Sequence, residues 1–261
     1  MPKHIIIISL FLFSFLNKVN AQRTHSNEVG IITGPVFFKS DYGERFNFKT
    51  NANNNGFGIG LVYYMSFSYI GYNNFRAYDY FNEHFKLRAE ISYSKSELQH
   101  YGKYVDSPSN SLGVKQLRAM RGSTELINLG AQLEYYIFDV HEFESTDGGF
   151  DPFISFGAQY SAYNPRAYSL LGPLNNTATT YPKYMGATSN QDGNVFSVTG
   201  SIGTRFKLNS MSDLMLDLRG QYYFSDWVDG LNPDHNKYTE NRYNDWLVWL
   251  NVGYILYIED H

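Results

Sequence analysis

The feature that most narrows what this chain can fold into is an alternation of period two that recurs along nearly its whole length. In residues 56–69 the odd positions Phe57, Ile59, Leu61, Tyr63, Met65, Phe67 and Tyr69 are all apolar or aromatic. The even positions are mostly tiny or polar: Gly56, Gly58, Gly60, Ser66 and Ser68, with Val62 and Tyr64 between them. Successive side chains of an extended chain leave opposite faces, so this pattern predicts a strand. The same reading predicts strands over 84–94, 125–137, 152–163, 195–208, 214–226 and 246–258. A weaker strand is expected over 27–39, where Pro35 interrupts the pattern.

The connections alternate in length. Residues 40–55, 95–123, 164–193 and 227–243 read as long polar loops, and 70–82, 138–150 and 209–213 as shorter turns. An even strand number with long loops at one end and short turns at the other predicts an all-β fold. Specifically, it predicts an eight-stranded antiparallel up-and-down transmembrane β-barrel. Each strand reaches the 9–11 or so residues that a tilted membrane strand needs. The competing architecture is a soluble barrel or sandwich, which turns its apolar face inward and its charges outward. Here the face opposite the apolar one carries Gly, Ser and few charges, which suits a narrow lumen and not a water-facing wall.

Composition removes other classes. Charged residues are 18% of the chain, below the roughly 25% of soluble domains. With no Cys, disulfides, thiolate metal sites and Cys nucleophiles are excluded. A net charge of −4 argues against nucleic acid as a partner. Lys3 and His4 precede an apolar run over 5–16, too short to span a bilayer but suited to a signal peptide. Val19-Asn20-Ala21 offers small residues for cleavage before Gln22. The expected organisation is a signal peptide over 1–21 and an outer-membrane barrel over 22–261; the alternative is an N-terminal anchor.

Five stretches carry a family resemblance: residues 27–36 (NEVGIITGPV), 40–45 (SDYGER), 116–124 (QLRAMRGST), 212–219 (SDLMLDLR) and 224–233 (FSDWVDGLNP). On these the chain resembles a family of small outer-membrane β-barrel proteins of Bacteroidota. More loosely, it is similar to the small barrel associated with type IX secretion. The resemblance implies export and an outer-membrane barrel, and it implies no ligand. Some relatives carry the label glutamate dehydrogenase, which this sequence does not support. Its Gly56-x-Gly58-x-Gly60 cluster lies inside a period-two strand and lacks the GxGxxG spacing of a dinucleotide-binding turn.

The inward charges are the most informative polar residues. Arg88, Glu134, Arg205, Asp217 and Arg219 are expected to gather in the periplasmic half of the lumen, with Glu90 just above. Unpaired charges are costly at low dielectric, so these residues should pair. The structural reading is a charged plug that holds a narrow barrel together; the functional reading is a gate or solute site. A symmetric hairpin at 209–213 would set Leu208 opposite Leu214, Arg205 opposite Asp217, and Gly203 opposite Arg219, predicting an Arg205–Asp217 bridge.

Other candidates are weaker. His84, His100, His141 and His235 fall at strand ends or loops, and Ser96 and His100 are not spaced to meet on one strand. Asn232, Asp234 and Asn236, after Asp229-Gly230, could offer oxygens to Ca²⁺ or form an ordinary solvated turn. Trp227, Trp246, Trp249, Tyr222, Tyr223, Tyr63 and Tyr69 read as interfacial girdle residues rather than a sugar platform.

The expected function is a non-catalytic outer-membrane barrel, monomeric, without cofactor or metal. It would have a structural or surface-interaction role through its long loops, above all 164–193. Its surroundings are outer-membrane lipids, with a possible envelope protein as partner. The alternatives are an accessory subunit of a secretion or assembly machine, a narrow solute pore, and a lipid-modifying barrel enzyme. N-terminal sequencing of the mature protein should read from Gln22, in the outer-membrane fraction. A mature chain that retains residues 1–21 would identify an anchor instead.

Overall fold

A computed structural model describes residues 27–67 and 80–258. The expected signal peptide over 1–21 lies outside the described residues, as do Tyr69 and most of the turn over 70–82. The chain forms eight strands: β1 (Asn27–Lys39), β2 (Asn55–Ser66), β3 (Phe85–Gln99), β4 (Met120–Tyr136), β5 (Phe150–Ser169), β6 (Gly193–Asn209), β7 (Ser212–Tyr223) and β8 (Trp246–Ile258). Each pairs antiparallel with the next, and β1 closes on β8 through a register running from Asn27 opposite Ile258 to Lys39 opposite Trp246. The fold is the eight-stranded up-and-down barrel that the alternation predicts.

Facing follows sequence parity. Leu61 is 56% exposed and stands between Ile31 and Ile91 of the adjoining strands, Leu216 is 49% exposed and stands opposite Val252, and Leu129, Phe156 and Ile202 continue the apolar face around the wall. The inward face buries Arg88, Glu90, Glu134, Arg205, Asp217 and Arg219 together with Ser, Thr, Asn and Gln. An apolar belt outside a closed, polar interior is the arrangement of an outer-membrane-type barrel, because only lipid makes a wide apolar exterior favourable.

Three sequence expectations are corrected. Strands β3, β4 and β5 run further toward the long loops than the alternation indicated, so the loops expected over 95–123 and 164–193 shorten to 100–119 and 170–192. Beyond the belt both faces of these strands meet water or other loops. Lys95 and Glu125, for example, form an exposed ion pair of 3.0 Å on the outer wall. There the inward positions Leu98, Met120 and Ala167 are the buried apolar ones, so the outward apolar pattern ends although the ladder continues.

The β6–β7 hairpin is tighter than a symmetric loop over 209–213. Asn209 pairs with Ser212, and a bulge at Leu208 follows before Lys207 pairs with Asp213. The Asn209 side chain accepts from the Met211 amide (2.9 Å) and from Ser212 Oγ (3.2 Å), closing the turn locally. Arg205 therefore stands opposite Met215, and Gly203 opposite Asp217. The displacement keeps parity, so both charges stay inside, but the predicted Arg205–Asp217 bridge is replaced by others.

Trp249 and Tyr223 do not belong to a girdle. Trp249 is 1% exposed and points into the lumen, where Gly58 leaves room for it: a Cβ on Gly58 would lie 2.6 Å from the indole. Tyr223 is buried and stacks with Phe38, ring centroids 6.2 Å apart. Both sit at inward parity, which outweighs the tendency of aromatic residues to gather at the interface. Trp246 and Tyr63 do face outward.

The lipid-facing assignment predicts an asymmetry. Leu61→Arg or Leu216→Arg should each cost about 2–4 kcal/mol when the barrel refolds into lipid vesicles. Ser201→Ala, on the inward face beside Ser155, should cost far less. Full tolerance of both arginines in a refolding titration would mean that water, not lipid, meets the belt.

Candidate functional site

The lumen charges form two connected layers. In the middle layer Arg88 bridges Glu90 (2.8 Å), Glu134 (3.3 Å) and Asp217 (3.3 Å), while Arg219 bridges Glu90 (2.7 Å) and Asp217 (3.4 Å). Tyr136 donates to Glu134 (2.6 Å), and Asn251 donates to Asp217 (3.3 Å). Strands β3, β4, β7 and β8 thus meet across the lumen. Five of the six charges expected to cluster lie in this layer.

Arg205, the sixth, lies in the layer nearer the short turns. It bridges Glu28 of β1 (2.6 Å) and Asp213 (3.5 Å). Lys86 bridges Glu28 (2.5 Å) and Glu144 (2.8 Å), and Lys207 bridges Asp213 (3.3 Å). The Tyr64 ring joins the layers, with Arg205 4.3 Å and Arg88 5.8 Å from its centroid. Glu28, Lys86, Lys207 and Asp213 are absent from the sequence-based cluster. Lys86 and Lys207 share inward parity with Arg88 and Arg205, and that parity is the signal that could have found them. Asp213 falls within the expected turn, and Glu28 lies on the strand with the weakest pattern.

Among these buried residues five cations (Lys86, Arg88, Arg205, Lys207, Arg219) face five acids of the strands (Glu28, Glu90, Glu134, Asp213, Asp217), and Asp151 of β5, buried opposite Arg205, accepts from the Phe138 amide (3.3 Å). Glu144 adds a carboxylate from the turn helix α5 (Val140–Ser145). This near balance is what permits so many charges in a space only as wide as side chains. Toward the loops the lumen becomes neutral: Gln221 donates to Ser197 (2.9 Å) and Asn128 (3.3 Å), and Ser161 donates to Asn128 (2.6 Å).

Above the barrel the four long loops fold into a cap. The first, 40–54, carries helix α1 (Phe48–Asn53); α2 (Tyr80–His84) lies at the opposite end; the second loop carries α3 (Lys103–Asp106) and α4 (Leu112–Ala119). The first and fourth loops are tied where the Asp41 amide donates to Asp229 (2.7 Å) and Arg45 donates to the Asn244 carbonyl. The Gly43 amide donates to His100 Nδ1 (3.1 Å), joining the second. The third and fourth join through the Ser189 amide on Gly230 O (2.9 Å) and the Asn232 amide on Ala187 O (2.9 Å). Gln116 donates to Thr177 O (2.8 Å), closing the circuit from second to third.

At the centre of this cap Asp41, Asp226, Asp229 and Asp245 are all buried, with Arg45 bridging Asp41 (2.9 Å). The Asp229 amide donates to Asp245 (3.1 Å), and His235 meets Asp226 at 2.9 Å. Burial, with Asp226 alongside, pushes the Asp229 carboxyl up to about 7. Burial and then Asp229 raise Asp41 and Asp245 well above the usual carboxylate range. Asp41, Asp226 and Asp229 lie in two of the stretches that carry the resemblance, but their meeting was not legible because the first and fourth loops are far apart in the chain.

The weaker candidates resolve into structural parts. His100 is buried between the Tyr42 and Tyr184 rings, centroids 5.0 and 5.2 Å away, and burial lowers it to about 3. Ser96 Oγ and His100 Nε2 are each buried without a hydrogen-bond partner, so the two make no catalytic pair. Asp234 accepts from the Asn236 amide (2.9 Å), and both side chains are exposed, as in a solvated turn. Among the described residues no group of three or more His, Asp or Glu is arranged to hold a metal ion. The third loop bears an open groove of about 430 Å³ lined by Tyr168, Ser169, Pro173, Leu174, Asn175 and Asn190.

No family model matches the chain, and no curated protein matches it. Solved structures share its outline. A major outer membrane protein from Thermus thermophilus is 14% identical, with 90% of this chain and 100% of that one covered and a TM-score of 0.47. Neisserial surface protein A is 15% identical, with 88% and 96% covered and a TM-score of 0.44. The attachment invasion locus protein of Yersinia pestis, solved with the heparin analogue sucrose octasulfate, is 11% identical, with 90% and 100% covered and a TM-score of 0.42.

The acidic group makes the cap pH-dependent. Carboxyls raised in the closed cap hold protons that open loops release, so closure weakens as pH rises from about 4 through about 7. His100, lowered in the cap, works the other way, but only below its ordinary value near 6.5. Above that value the carboxyls act alone. Amide exchange in 170–192 and 224–245, corrected for its intrinsic pH dependence, should therefore be faster at pH 8 than at pH 6.5. Asp245→Asn should reduce the difference. Equal protection at both pH values would contradict the buried-acid account.

Proposed function

We propose that this chain is a non-catalytic barrel of the outer membrane, related to the small Bacteroidota barrels it resembles and exported by the signal peptide over 1–21. Its lumen charges, Arg88, Glu90, Glu134, Arg205, Asp217 and Arg219, act as a structural plug. Its cap presents a preformed surface to an envelope partner. The observation that carries this reading is the way all four long loops are bonded to one another over a lumen filled by paired charges. Loops that stay tied lose little conformational entropy on binding, which favours recognition. A lumen packed with buried, paired charges disfavours the pore reading. The groove of the third loop and the nearby exposed Leu170, Leu171 and Met185 support contact there.

In planar bilayers the purified barrel should give no conductance steps. A photo-crosslinking residue at Leu170 should trap an envelope protein, whereas one at Leu216, on the lipid face, should not. Steady single-channel currents from the unaltered protein would replace this reading with a pore.

A further inference from the structure

One exposed patch is used neither by the lumen nor by the interior of the cap. It sits where β1 and β8 leave the apolar belt, with Lys39 opposite the outward-facing Trp246. In the first loop Phe46 is 73% exposed and Phe48 is 86% exposed, and Tyr243 of the fourth loop lies edge-on to Phe46 at 6.1 Å. Lys39 Nζ stands 5.4 Å from the Phe46 ring centroid, and the Arg242 guanidinium 5.9 Å from that of Tyr243. Lys49 and Arg242 are exposed.

The acids of the two flanking segments are engaged elsewhere. Asp41 holds Arg45, Glu44 accepts from the Lys103 amide, Glu240 holds Lys183, and Asp245 accepts from the Asp229 amide. Lys39, Lys49 and Arg242 are in no ion pair among the described residues. Lys39 thus stands beside Phe46, and Arg242 beside Tyr243, at the loop end of the apolar belt, with Phe48 and Lys49 exposed next along the first loop. Aromatic rings favour the boundary where hydrocarbon gives way to headgroups, and Lys and Arg stems can lie on apolar surface while their charges reach upward.

We infer that Lys39, Lys49 and Arg242, with Phe46, Phe48 and Tyr243, form a ledge that binds the phosphate-bearing headgroup of a lipid in the outer leaflet. The inference rests on the reading of the barrel as membrane-spanning. Continuity with the belt favours a lipid over a soluble anion. The aromatic side chains would meet the upper acyl chain and the cations the phosphate.

The test places the full barrel in phosphatidylcholine nanodiscs containing a tenth phosphatidic acid and counts retained lipids by native mass spectrometry. The unaltered protein should retain phosphatidic acid preferentially. The triple variant Lys39→Gln, Lys49→Gln, Arg242→Gln should lose that preference by a factor on the order of tenfold or more. The control Lys103→Gln, Lys115→Gln, Lys237→Gln removes the same charge from exposed loop positions and should retain it. Equal retention by both triple variants would overturn the ledge. So would displacement of the lipid by millimolar inorganic phosphate, which would identify a free anion as the ligand. Failure of the unaltered chain to enter nanodiscs, seen as the absence of a heat-dependent gel shift, would overturn the membrane reading and this inference with it.

Discussion

Charge pairing in a confined lumen is the constraint on which this structure depends. An eight-stranded barrel encloses a space that side chains alone can fill. Here those side chains include Arg88, Arg205 and Arg219, each fully or almost fully buried. Removing such groups from water is expensive unless each meets its counter-charge. The ion pairs therefore act as cross-braces between strands that are not neighbours: Arg88 of β3 reaches Asp217 of β7, and Arg205 of β6 reaches Glu28 of β1. Ladder hydrogen bonds close the wall, and these bridges fix its cross-section.

The outer surface obeys the opposite rule. Leu61, Leu129, Phe156 and Leu216 would be a liability in water, yet they form one belt around the wall. With lipid outside, the cost disappears, and the barrel separates an apolar solvent from a charged interior by the thickness of one sheet. Each strand must satisfy both environments at once, which is why the alternation is so regular inside the belt and fades beyond it in β3, β4 and β5. The long loops, free of that double demand, build a second packed layer. In it the rings of Tyr42, His100 and Tyr184 pack together over the barrel mouth, Leu231 is buried, and the fourth-loop acids Asp229 and Asp245 accept backbone amides.

Which face each strand residue takes was decided by the sequence alone, because side-chain direction in an extended chain is a local property of period two. Parity placed Leu61 and Leu216 outside and Arg88, Glu134 and Asp217 inside before any strand was paired. Parity also sufficed to place Trp249 and Tyr223 inside, had it been preferred to the interfacial habit of aromatic residues.

Partners are another matter, since they depend on register and closure. The register of β6 on β7 hangs on one Asn209 side chain that tightens the turn and adds a bulge, moving Arg205 from Asp217 to Asp213. The bridge from Arg205 to Glu28 exists only because β1 closes on β8 and curves the first strand into reach. The acidic centre of the cap and the cationic ledge likewise join residues from opposite ends of the chain. No short-range pattern carries such information: the pairing of distant charges is set by the circumference of the closed barrel, and that exists only once all eight strands are in place.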